Sequence, residues 1–599
     1  MNYPTLMEIS TERQMTDVFR GYNHNMRIND GEFYDMQNLT STYYPVLSPR
    51  GKRGTYQYPE GSGGDHTPNG LIAKDALCYV DGDKLFINNK EITELKLTNS
   101  PKQMVSMGAY LIIMPDMKYI NTKDFTDNGN IEASFPTTEG TTVTATYEMC
   151  KMDGTVYGDV PRYDTAPENP TNMQLWIDTS STPHILKQYS ETNKVWNQIA
   201  TTYVKISAPN IASAFKQYDA VKLTNLPTEQ IPQLKDLEGK VSALWDAHHD
   251  EENPSSDYIV VIGFIDVTGT YETALRLERR MPVMDFIIES GNRLWGCRYG
   301  TNADGEVVNE IYASKLGDFK NWSCYMGLST DSYAASCGTD GQFTGAITHL
   351  GYPLFFKENC VHKVYGNYPA NFQIQSTACR GVQEGSGKSL AIVNEVLYYK
   401  SRNAICAYDG SLPTEISYPL GDMAYSDAVA ASHGNKYYIS MKDSNGDYIL
   451  FVYDASKDLW HKEDNLAVQE FCSCRNELYY IPKDSTEIKT LFGSDTVDDA
   501  PIEWMAETGV IGMYTPNKKY VSRINVRMSL DIGTKMYFYV QYDSSGEWEL
   551  ISQMTSSSLR SFTVPIRPKR CDHFRLRMVG VGDAKVFSMV KTLEQGSDQ

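Results

Sequence analysis

A phosphate-binding loop is the first chemistry that the sequence suggests, because Gly385-Ser386-Gly387-Lys388-Ser389 contains the Gly-Lys-Ser end of that motif. The motif requires another glycine five positions before Gly387, where this chain has Val382. It must also open a helix whose N-terminus faces the phosphates, whereas the apolar residues 390–393 that follow predict a strand. We therefore favour a surface turn over a nucleotide site.

A calcium loop is the second possibility, since Asp443, Asn445 and Asp447 have its first spacings and Asp454 falls at its twelfth position. The sixth position, however, is Tyr448, where calcium loops need glycine, and the flanking residues predict strands instead of helices. A hairpin turn is the favoured interpretation.

Two other segments contain residue types that serve as metal ligands in proteins. His248-His249-Asp250-Glu251-Glu252 has adjacent side chains that point in different directions, with no identifiable third ligand, so an exposed acidic loop is favoured. Cys472 and Cys474 place two thiols on the same side of a strand, but no second pair of Cys or His follows at zinc spacing. We predict no metal-binding residues.

Catalytic carboxylates cannot be singled out, because 75 acidic residues supply many pairs and nothing in the sequence fixes one of them in a pocket. There is no Gly-x-Ser-x-Gly elbow and no sialidase-type repeat. A glycosidase stays open as an alternative, since its two carboxylates need no motif. We predict no catalytic residues, no cofactor-binding residues and no cofactor, and we expect that the chain is not an enzyme.

The composition is that of a folded acidic protein, with 41% hydrophobic and 22% charged residues among 599. The formal charge of −20 argues against a protein that grips nucleic acid through its phosphates. It is compatible with an acidic channel through which DNA slides, or with a surface that keeps a large protein soluble.

Eleven cysteines, an odd number that lies mostly within apolar strand patterns, predict buried free thiols made in a reducing cytoplasm. The sequence contains no run of about 18 apolar residues, so it predicts no membrane-spanning helix. The first residues, Met1-Asn2-Tyr3-Pro4-Thr5, do not resemble a secretory signal.

A repeated sequence pattern, in which a turn precedes Leu and aromatic residues, indicates the elements that would position any site. Successive copies are 34, 183, 60, 43, 40 and 41 residues apart, and a spacing near ~40 is typical of a four-stranded propeller blade. We predict an all-β protein with a β-propeller of about seven blades. The residues that anchor the copies are Leu77, Leu111, Leu294, Leu354, Leu397, Tyr437 and Leu478.

The long step of 183 residues predicts an inserted domain between two blades. The predicted organisation is an arm at 1–60, first blades at 61–130, an inserted β-rich domain at 131–283, remaining blades at 284–497 and a C-terminal β-sandwich at 498–599. Within the insertion, residues 233–245 are the best candidate for a helix. An arm strand could complete the first or the last blade.

The arm carries a family resemblance. Asp30-Gly31-Glu32-Phe33-Tyr34-Asp35-Met36-Gln37-Asn38-Leu39-Thr40-Ser41, followed by Tyr43-Tyr44-Pro45-Val46-Leu47-Ser48-Pro49-Arg50-Gly51, resembles the start of bacteriophage virion β-propeller proteins. Tail nozzle (tail tubular) and head-to-tail stabilisation proteins of short-tailed phages are similar there. Pro565-Ile566-Arg567-Pro568-Lys569-Arg570-Cys571-Asp572-His573-Phe574 and Leu175-Trp176-Ile177-Asp178-Thr179 are also similar to segments of phage structural proteins.

The resemblance implies a structural protein of a phage tail, with no catalytic residues to carry over. Its expected partners are copies of itself in a six-fold ring, the portal and adaptor above it, other tail proteins, and genomic DNA that passes through the lumen without specific binding. The expected location is the virion tail, after assembly in the cytoplasm of the bacterial host.

Two alternatives remain. A receptor-binding or glycan-binding tail module would use exposed aromatic side chains such as Trp176 and Trp196, although core packing is favoured for both. A propeller glycoside hydrolase that acts on cell-wall sugars is the other alternative.

Overall fold

The computed structural model describes residues 11–59, 65–303, 305–497, 499, 501–514, 518–567 and 569–595. These residues form 51 β-strands and short 3-10 helices, and none of them is α-helical. No helix in these ranges has the length and apolar content to cross a bilayer. Two predicted features lie outside the described residues: the start at 1–5, which does not resemble a secretory signal, and Gly61-Ser62-Gly63-Gly64, whose composition predicts a flexible connector.

The strands of the N-terminal half are numbered along the chain. The arm contains β1 (Thr11–Thr16), β2 (Gly21–Tyr22), β3 (Glu32–Gln37), β4 (Leu39–Thr40), β5 (Ser48–Pro49) and β6 (Gly54–Thr55). Two four-stranded sheets follow, β7 (Pro68–Lys74), β8 (Ala76–Asp81), β9 (Lys84–Ile87), β10 (Lys90–Ile92), and β11 (Gln103–Met107), β12 (Tyr110–Met114), β13 (Lys118–Asn121), β14 (Asn128–Asn130). The next strands are β15 (Ala133–Phe135), β16 (Val143–Cys150), β17 (Arg162–Tyr163), β18 (Leu175–Asp178), β19 (Ile185–Ser190), β20 (Val195–Gln198), β21 (Tyr203–Ser207), β22 (Ala220–Thr224), β23 (Val241–His248), β24 (Tyr258–Ile262), β25 (Gly269–Thr273) and β26 (Arg276–Arg279).

The C-terminal half continues with five sheets of the blade type and the sandwich. The blade strands are β27 (Phe286–Ser290), β28 (Arg293–Thr301), β29 (Val307–Ala313), β30 (Tyr333–Ser336), β31 (Gly345–His349), β32 (Tyr352–Lys357), β33 (Cys360–Tyr365), β34 (Gln373–Ala378), β35 (Ala391–Val393), β36 (Val396–Lys400), β37 (Ile405–Tyr408), β38 (Thr414–Glu415), β39 (Ser426–His433), β40 (Lys436–Lys442), β41 (Tyr448–Asp454), β42 (Leu459–Lys462), β43 (Val468–Cys474), β44 (Glu477–Pro482), β45 (Lys489–Thr490) and β46 (Thr496–Val497). The remaining strands are β47 (Glu503–Thr508), β48 (Lys519–Tyr542), β49 (Glu549–Val564), β50 (Phe574–Val581) and β51 (Ala584–Gln595). The 3-10 helices are Pro232–Asp236, Pro254–Ser256, Pro369–Asn371, Gly387–Ser389 and Tyr418–Leu420.

The chain divides into two compact units. The first contains residues 1–104, 343–363 and 376–599, and the second contains 105–342 and 364–375. Sheets β7–β10, β31–β34, β35–β38, β39–β42 and β43–β46 belong mainly to the first unit, and β11–β14 and β27–β30 to the second. The predicted class, an all-β protein with about seven propeller blades, a β-rich insertion and a β-sandwich, is confirmed.

Central strands of the blades are buried on both faces. In β8, the residues Leu77, Cys78, Tyr79 and Val80 are all buried, and β40 shows the same continuous pattern. A strand covered on both sides reads as an unbroken apolar run instead of an alternation. The apolar residues of the repeated sequence pattern therefore lie in the central blade strands.

The first blade in the sequence packs against the last one within the first unit. Leu77 and Phe86 share one hydrophobic cluster with Cys472 and Ile481. The arm strand β6 completes the last blade, because it pairs with both β45 and β46. The expectation that the arm completes a terminal blade is therefore confirmed.

The sandwich is built on the 24-residue strand β48. Residues 519–530 of β48 pair with β51, and residues 535–542 pair with β50 on the same side of the strand. The strand β49 pairs with the other side of β48. The two parts meet at Gly533, which has a φ of +89°, and alternate residues of both parts, such as Val526 and Met536, join one core. The sandwich also contains arm strands, because β1 pairs with β51 and β3 with β47.

The second unit holds the residues predicted as an insertion, in an eight-stranded sheet of order β15-β26-β22-β23-β24-β21-β16-β25 and a four-stranded sheet β17–β20. The predicted helix at 233–245 is wrong. A 3-10 helix covers Pro232–Asp236, Gly239 turns the chain with a φ of +70°, and β23 follows. Leu244 of β23 pairs with Val261, so tertiary pairing overrides the weak helical period.

Candidate functional site: the arm junction

Asn38 and Arg50, both from the stretch that carries the family resemblance, contact each other. The Arg50 Nε donates to Asn38 Oδ1 at 2.8 Å, and the Arg50 backbone N–H donates to the Asn38 carbonyl at 2.9 Å. The Asn38 Nδ2 donates to the Glu503 carbonyl at 2.8 Å. Asn38 has a φ of +55°, a conformation that asparagine adopts more readily than most residues. These bonds tie the arm to the start of the sandwich.

Two arginines of the arm face three carboxylates. Arg50 lies 2.8 Å from Asp499 and 3.4 Å from Asp464. Arg53 lies 2.5 Å from Asp464 and 2.9 Å from Glu463, and its backbone N–H donates to Asp499 at 3.0 Å. We call Asn38 and these five residues the arm junction.

The arm junction joins three segments of the first unit. Glu463 and Asp464 follow β42 at the end of a blade, whereas Asp499 lies between β46 and β47, where the chain enters the sandwich. Leu47 adds a further tie, since it exchanges two backbone hydrogen bonds with Val586 of β51. The junction thus fixes the arm, a blade and the sandwich to one another.

Burial and the neighbouring charges shift the pKa values of the junction residues in opposite directions. Burial raises the pKa of Glu463 above its ordinary value, although Arg53 acts in the other direction. For Asp499, burial also favours the neutral form, but the hydrogen bonds from Arg50 and from the Arg53 N–H outweigh it and lower the pKa. The charges of Asp464 and Glu463 outweigh burial at Arg53, raise its pKa and keep it protonated. The arginines and carboxylates are bonded to one another, which suits the junction to holding segments together.

A second anchor of the arm lies on β51 of the sandwich. The Lys591 ammonium, which is 1% exposed, donates to Asp30 Oδ1 at 2.5 Å, and Thr16 donates to the other oxygen at 2.6 Å. Burial raises the pKa of Asp30, but these bonds outweigh it and the net shift is downward. The pair lies in the wall of a cavity of about 470 Å³ that Phe19 and Met589 also line.

The Gly-Lys-Ser segment has no helix behind it. Residues Gly387–Ser389 form one 3-10 turn that leads into β35, the strand predicted there. The predicted surface turn is wrong in one respect, because Ser386 and Ser389 are fully buried. Their hydroxyls accept hydrogen bonds from the N–H groups of Ala428 and Lys400, so the segment packs blades together.

The calcium-like spacing belongs to a hairpin turn, as predicted. Asp443 Oδ1 accepts the backbone N–H groups of Asn445 and Asp447, both at 2.9 Å. Asp454 lies at the end of the next strand and accepts a hydrogen bond from the arm residue Ser41 at 2.5 Å.

The two histidines of the acidic loop face different partners. The His249 ring nitrogen lies 2.7 Å from the buried carboxylate of Asp257, while His248 stacks on Tyr258 with 5.2 Å between the ring centroids. Nowhere in the described ranges do three or more His, Cys, Asp or Glu side chains group as metal ligands would.

The cysteines are free thiols, and all but Cys379 are buried. Burial raises the pKa of the Cys472 thiol and brings that of Cys78 to about 12. Cys472 and Cys474 pack in the hydrophobic cluster between the first and last blades. The prediction of buried free thiols is confirmed for ten of the eleven.

The aromatic side chains considered for receptor binding are packed. Trp176 is 4% exposed, and its Nε1 donates to the Tyr163 carbonyl at 3.1 Å. The ring of Trp196, which is half-buried, lies 5.2 Å from that of Trp176. Trp176 thus has the core packing that we favoured.

The acidic half of the junction was missed in the sequence, where only the basic cluster around Arg50 and Arg53 stands out. Arg53 and Asp464 are 411 positions apart, and no spacing rule links them. Lys591 did carry a signal, because it lies two positions from both Met589 and Leu593 and therefore shares their apolar face of a strand.

Comparison of the sequence with family models and with curated proteins gives no match. Solved structures give matches of low similarity. An exo-β-1,3-galactanase from Phanerochaete chrysosporium is 11% identical over 51% of this chain and 94% of that chain, with a TM-score of 0.23. The β-propeller domain of the Trilobed protease from Pyrococcus furiosus is 10% identical over 57% and 98%, with a TM-score of 0.23. A GH43 glycoside hydrolase engineered for endo-xylanase and exo-arabinofuranosidase activity is 8% identical over 53% and 99%, with a TM-score of 0.19.

The expectation that the chain is not an enzyme is contradicted by these neighbours, two of which are glycoside hydrolases, and it is withdrawn. TM-scores this low give no basis for assigning an activity, a substrate or a site residue to the chain.

Proposed function

We propose that the chain is a structural protein of a bacteriophage tail, which assembles with copies of itself into a ring, or nozzle, below the portal and adaptor. The ring closes or guides the DNA conduit while the genome is retained and ejected. The observation that carries this proposal is the arm junction. Asn38, Leu47 and Arg50, which lie in the stretch that resembles phage propeller proteins, are the residues that fix the arm to a blade and to the sandwich.

The mechanical demands of a conduit support the same proposal. A wall around pressurised DNA needs segments that do not slide against each other. The radial repetition of propeller blades leaves only short strand edges exposed. The arm adds cross-links between a blade and the sandwich through ion pairs such as Arg53–Glu463 at 2.9 Å.

The net charge of −20 supports a lumen that does not bind DNA. Acidic side chains that line a channel repel the phosphates, so DNA passes without sticking. Replacing lumen-facing acids by Lys in phage should slow or stop genome ejection, and unchanged ejection would count against an acidic lumen.

The direct test is the oligomeric state of the purified full-length chain, by mass photometry and negative-stain electron microscopy. We expect particles of six times the chain mass and six-fold ring views, formed alone or on addition of the portal–adaptor complex of the same phage. A chain that stays monomeric at micromolar concentrations under both conditions contradicts the proposal.

A further inference from the structure

We propose that neighbouring copies in this ring pair strand to strand, with the outer edge of β49 in one copy against the outer edge of β1 in the next. This inference rests on the proposed ring and names the surfaces that build it. The partner is a second copy of this chain, and the contact is a continuation of the sandwich sheet.

The part of the sandwich sheet in which β48 pairs with β51, here called the first layer, has two open edges. Its strands follow the order β1-β51-β48-β49, and within the described ranges no strand pairs with the outer side of β1 or of β49. Each edge presents backbone N–H and C=O groups that a further strand can pair with. One layer therefore carries two surfaces for strand addition, at opposite sides.

Strand direction makes these two edges compatible. All three pairings in the layer are antiparallel, so β1 and β48 run one way and β51 and β49 run the other way. If a second copy continues the sheet beyond β49, its β1 therefore runs antiparallel to β49. Antiparallel pairing is the more stable arrangement for adjacent strands.

The levels of the two edges overlap over three residues, Gln14–Thr16 of β1 and 562–564 of β49. The strand β1 has six residues, and the five residues 560–564 of β49 pair with the same part of β48 that pairs with β51. Following the pairings across the layer places Met15 level with Thr563 and Thr16 level with Phe562. Phe562 is only half-buried, and a neighbouring β1 would cover it.

The edge of β49 lacks the usual protection against pairing. Natural edge strands are short or carry Lys and Pro, whereas β49 has 16 residues with neither, and its charged residues are Glu549 and Arg560. Its pairing with β48 is irregular at three places, yet the run opposite residues 524–528 is regular. Residues 562–564 of that regular run lie level with Gln14–Thr16 of β1.

The symmetry of the contact follows from its two different halves. Because β49 meets β1 and not another β49, the interface is heterologous, and each copy still has one free edge after it binds a neighbour. Such contacts build a ring where the rotation between copies closes and an open filament where it does not, whereas pairing of two β49 edges would stop at a dimer. The open edges of this sheet thus permit a ring in which every copy uses both edges.

Cysteine cross-linking tests the contact. In Met15→Cys/Thr563→Cys and Met15→Cys/Ser561→Cys, oxidation of the assembled full-length protein should produce a covalent ladder up to six chains in at least one variant. The matched control is Met15→Cys/Gln553→Cys, because Gln553 is an exposed residue of the same strand that lies in its other part. Native thiols interfere little, since all but Cys379 are buried.

A second test uses proline substitutions to remove a backbone N–H group from the outer edge of β49. Successive residues of an edge strand point their N–H groups alternately inward and outward, so one of Ser561→Pro and Phe562→Pro deletes an outward N–H only. That variant should keep the circular dichroism of the wild type and lose the ring.

The outcomes separate the two proposals. Rings in the wild type without a ladder in either test pair, or rings that persist in both proline variants while these remain folded, overturn the strand contact and leave the proposed ring standing. A covalent dimer of the single variant Thr563→Cys, which requires two β49 edges to meet, overturns the head-to-tail arrangement. A wild type that forms no ring under either assembly condition overturns both.

Discussion

Arg53→Met tests whether the arm junction holds the first unit together. The substitution keeps most of the side-chain volume and removes the guanidinium that lies 2.5 Å from Asp464 and 2.9 Å from Glu463. Glu463 is 6% exposed and is then left in the interior without its arginine. Removing one partner of a buried ion pair costs about 3–5 kcal/mol. Because Asp464 keeps Arg50 at 3.4 Å, we expect a loss of about 3–4 kcal/mol in unfolding free energy.

The assay is equilibrium urea unfolding followed by tryptophan fluorescence, since the buried Trp460 and Trp504 both lie in the first unit. The matched control is Arg53→Met/Glu463→Met, which replaces the pair by apolar side chains of similar size. Such replacements of a whole buried pair are often neutral, so the double variant should recover to within about 1–2 kcal/mol of the wild type.

The pH dependence has a definite sign. The pKa of Glu463 is raised in the folded protein, so its contribution to stability is fully present below the unfolded value of 4.5 and is lost as the pH rises through the folded pKa. Without Arg53 that pKa rises further. The deficit of Arg53→Met should thus be largest at neutral pH and shrink toward pH 4.5. A neutral-pH deficit below about 1 kcal/mol, or one that grows on acidification, refutes the reasoning.

Three further predictions concern other parts of the first unit and the thiols. In Gly580→Ala the new Cβ would lie 2.1 Å from the Trp504 ring, so we expect calorimetry to show a loss of about 1–3 kcal/mol, against no measurable loss for Gly51→Ala, which has open space. The pKa of Asp30 is lowered, so Asp30→Asn should be less stable than wild type at pH 7, and the two unfolding curves should converge as the pH falls below 3.8. Ellman titration of the native protein should find at most one slow thiol, Cys379, and all eleven after denaturation; several fast thiols would contradict the buried set.

The blades could be predicted from the sequence because each one is a local hairpin unit. Leu77, Leu354 and Leu397 anchor the repeat, and all three are buried central positions of blade strands. The same local logic identified the hairpin turn at Asp443, whose side chain bonds the backbone of its own turn. Both features depend on residues within one blade, where spacing rules apply.

The arm could not be placed from the sequence, because its partners are far away along the chain. The strand β6 has two residues and no periodicity of its own, yet Thr55 pairs with Lys489. The partners of Arg50 were hidden for the same reason, since Asp499 is 449 positions away. Tertiary pairing also overrode the helical pattern around Leu244, which the strand β24 draws into a sheet.

The arm strand that completes the last blade has a consequence for the timing of synthesis. Thr55 leaves the ribosome 434 residues ahead of its partner Lys489, which at ~5–20 residues per second is a wait of about 20–90 seconds. β1 waits longer still, because β51 ends at Gln595. The sequence of β1, Thr-Glu-Arg-Gln-Met-Thr, with one apolar residue in six, suits a segment that stays in water meanwhile. The sheet between the open edges of β1 and β49 is complete only when β51 has been made, so the proposed contact between copies requires synthesis through Gln595.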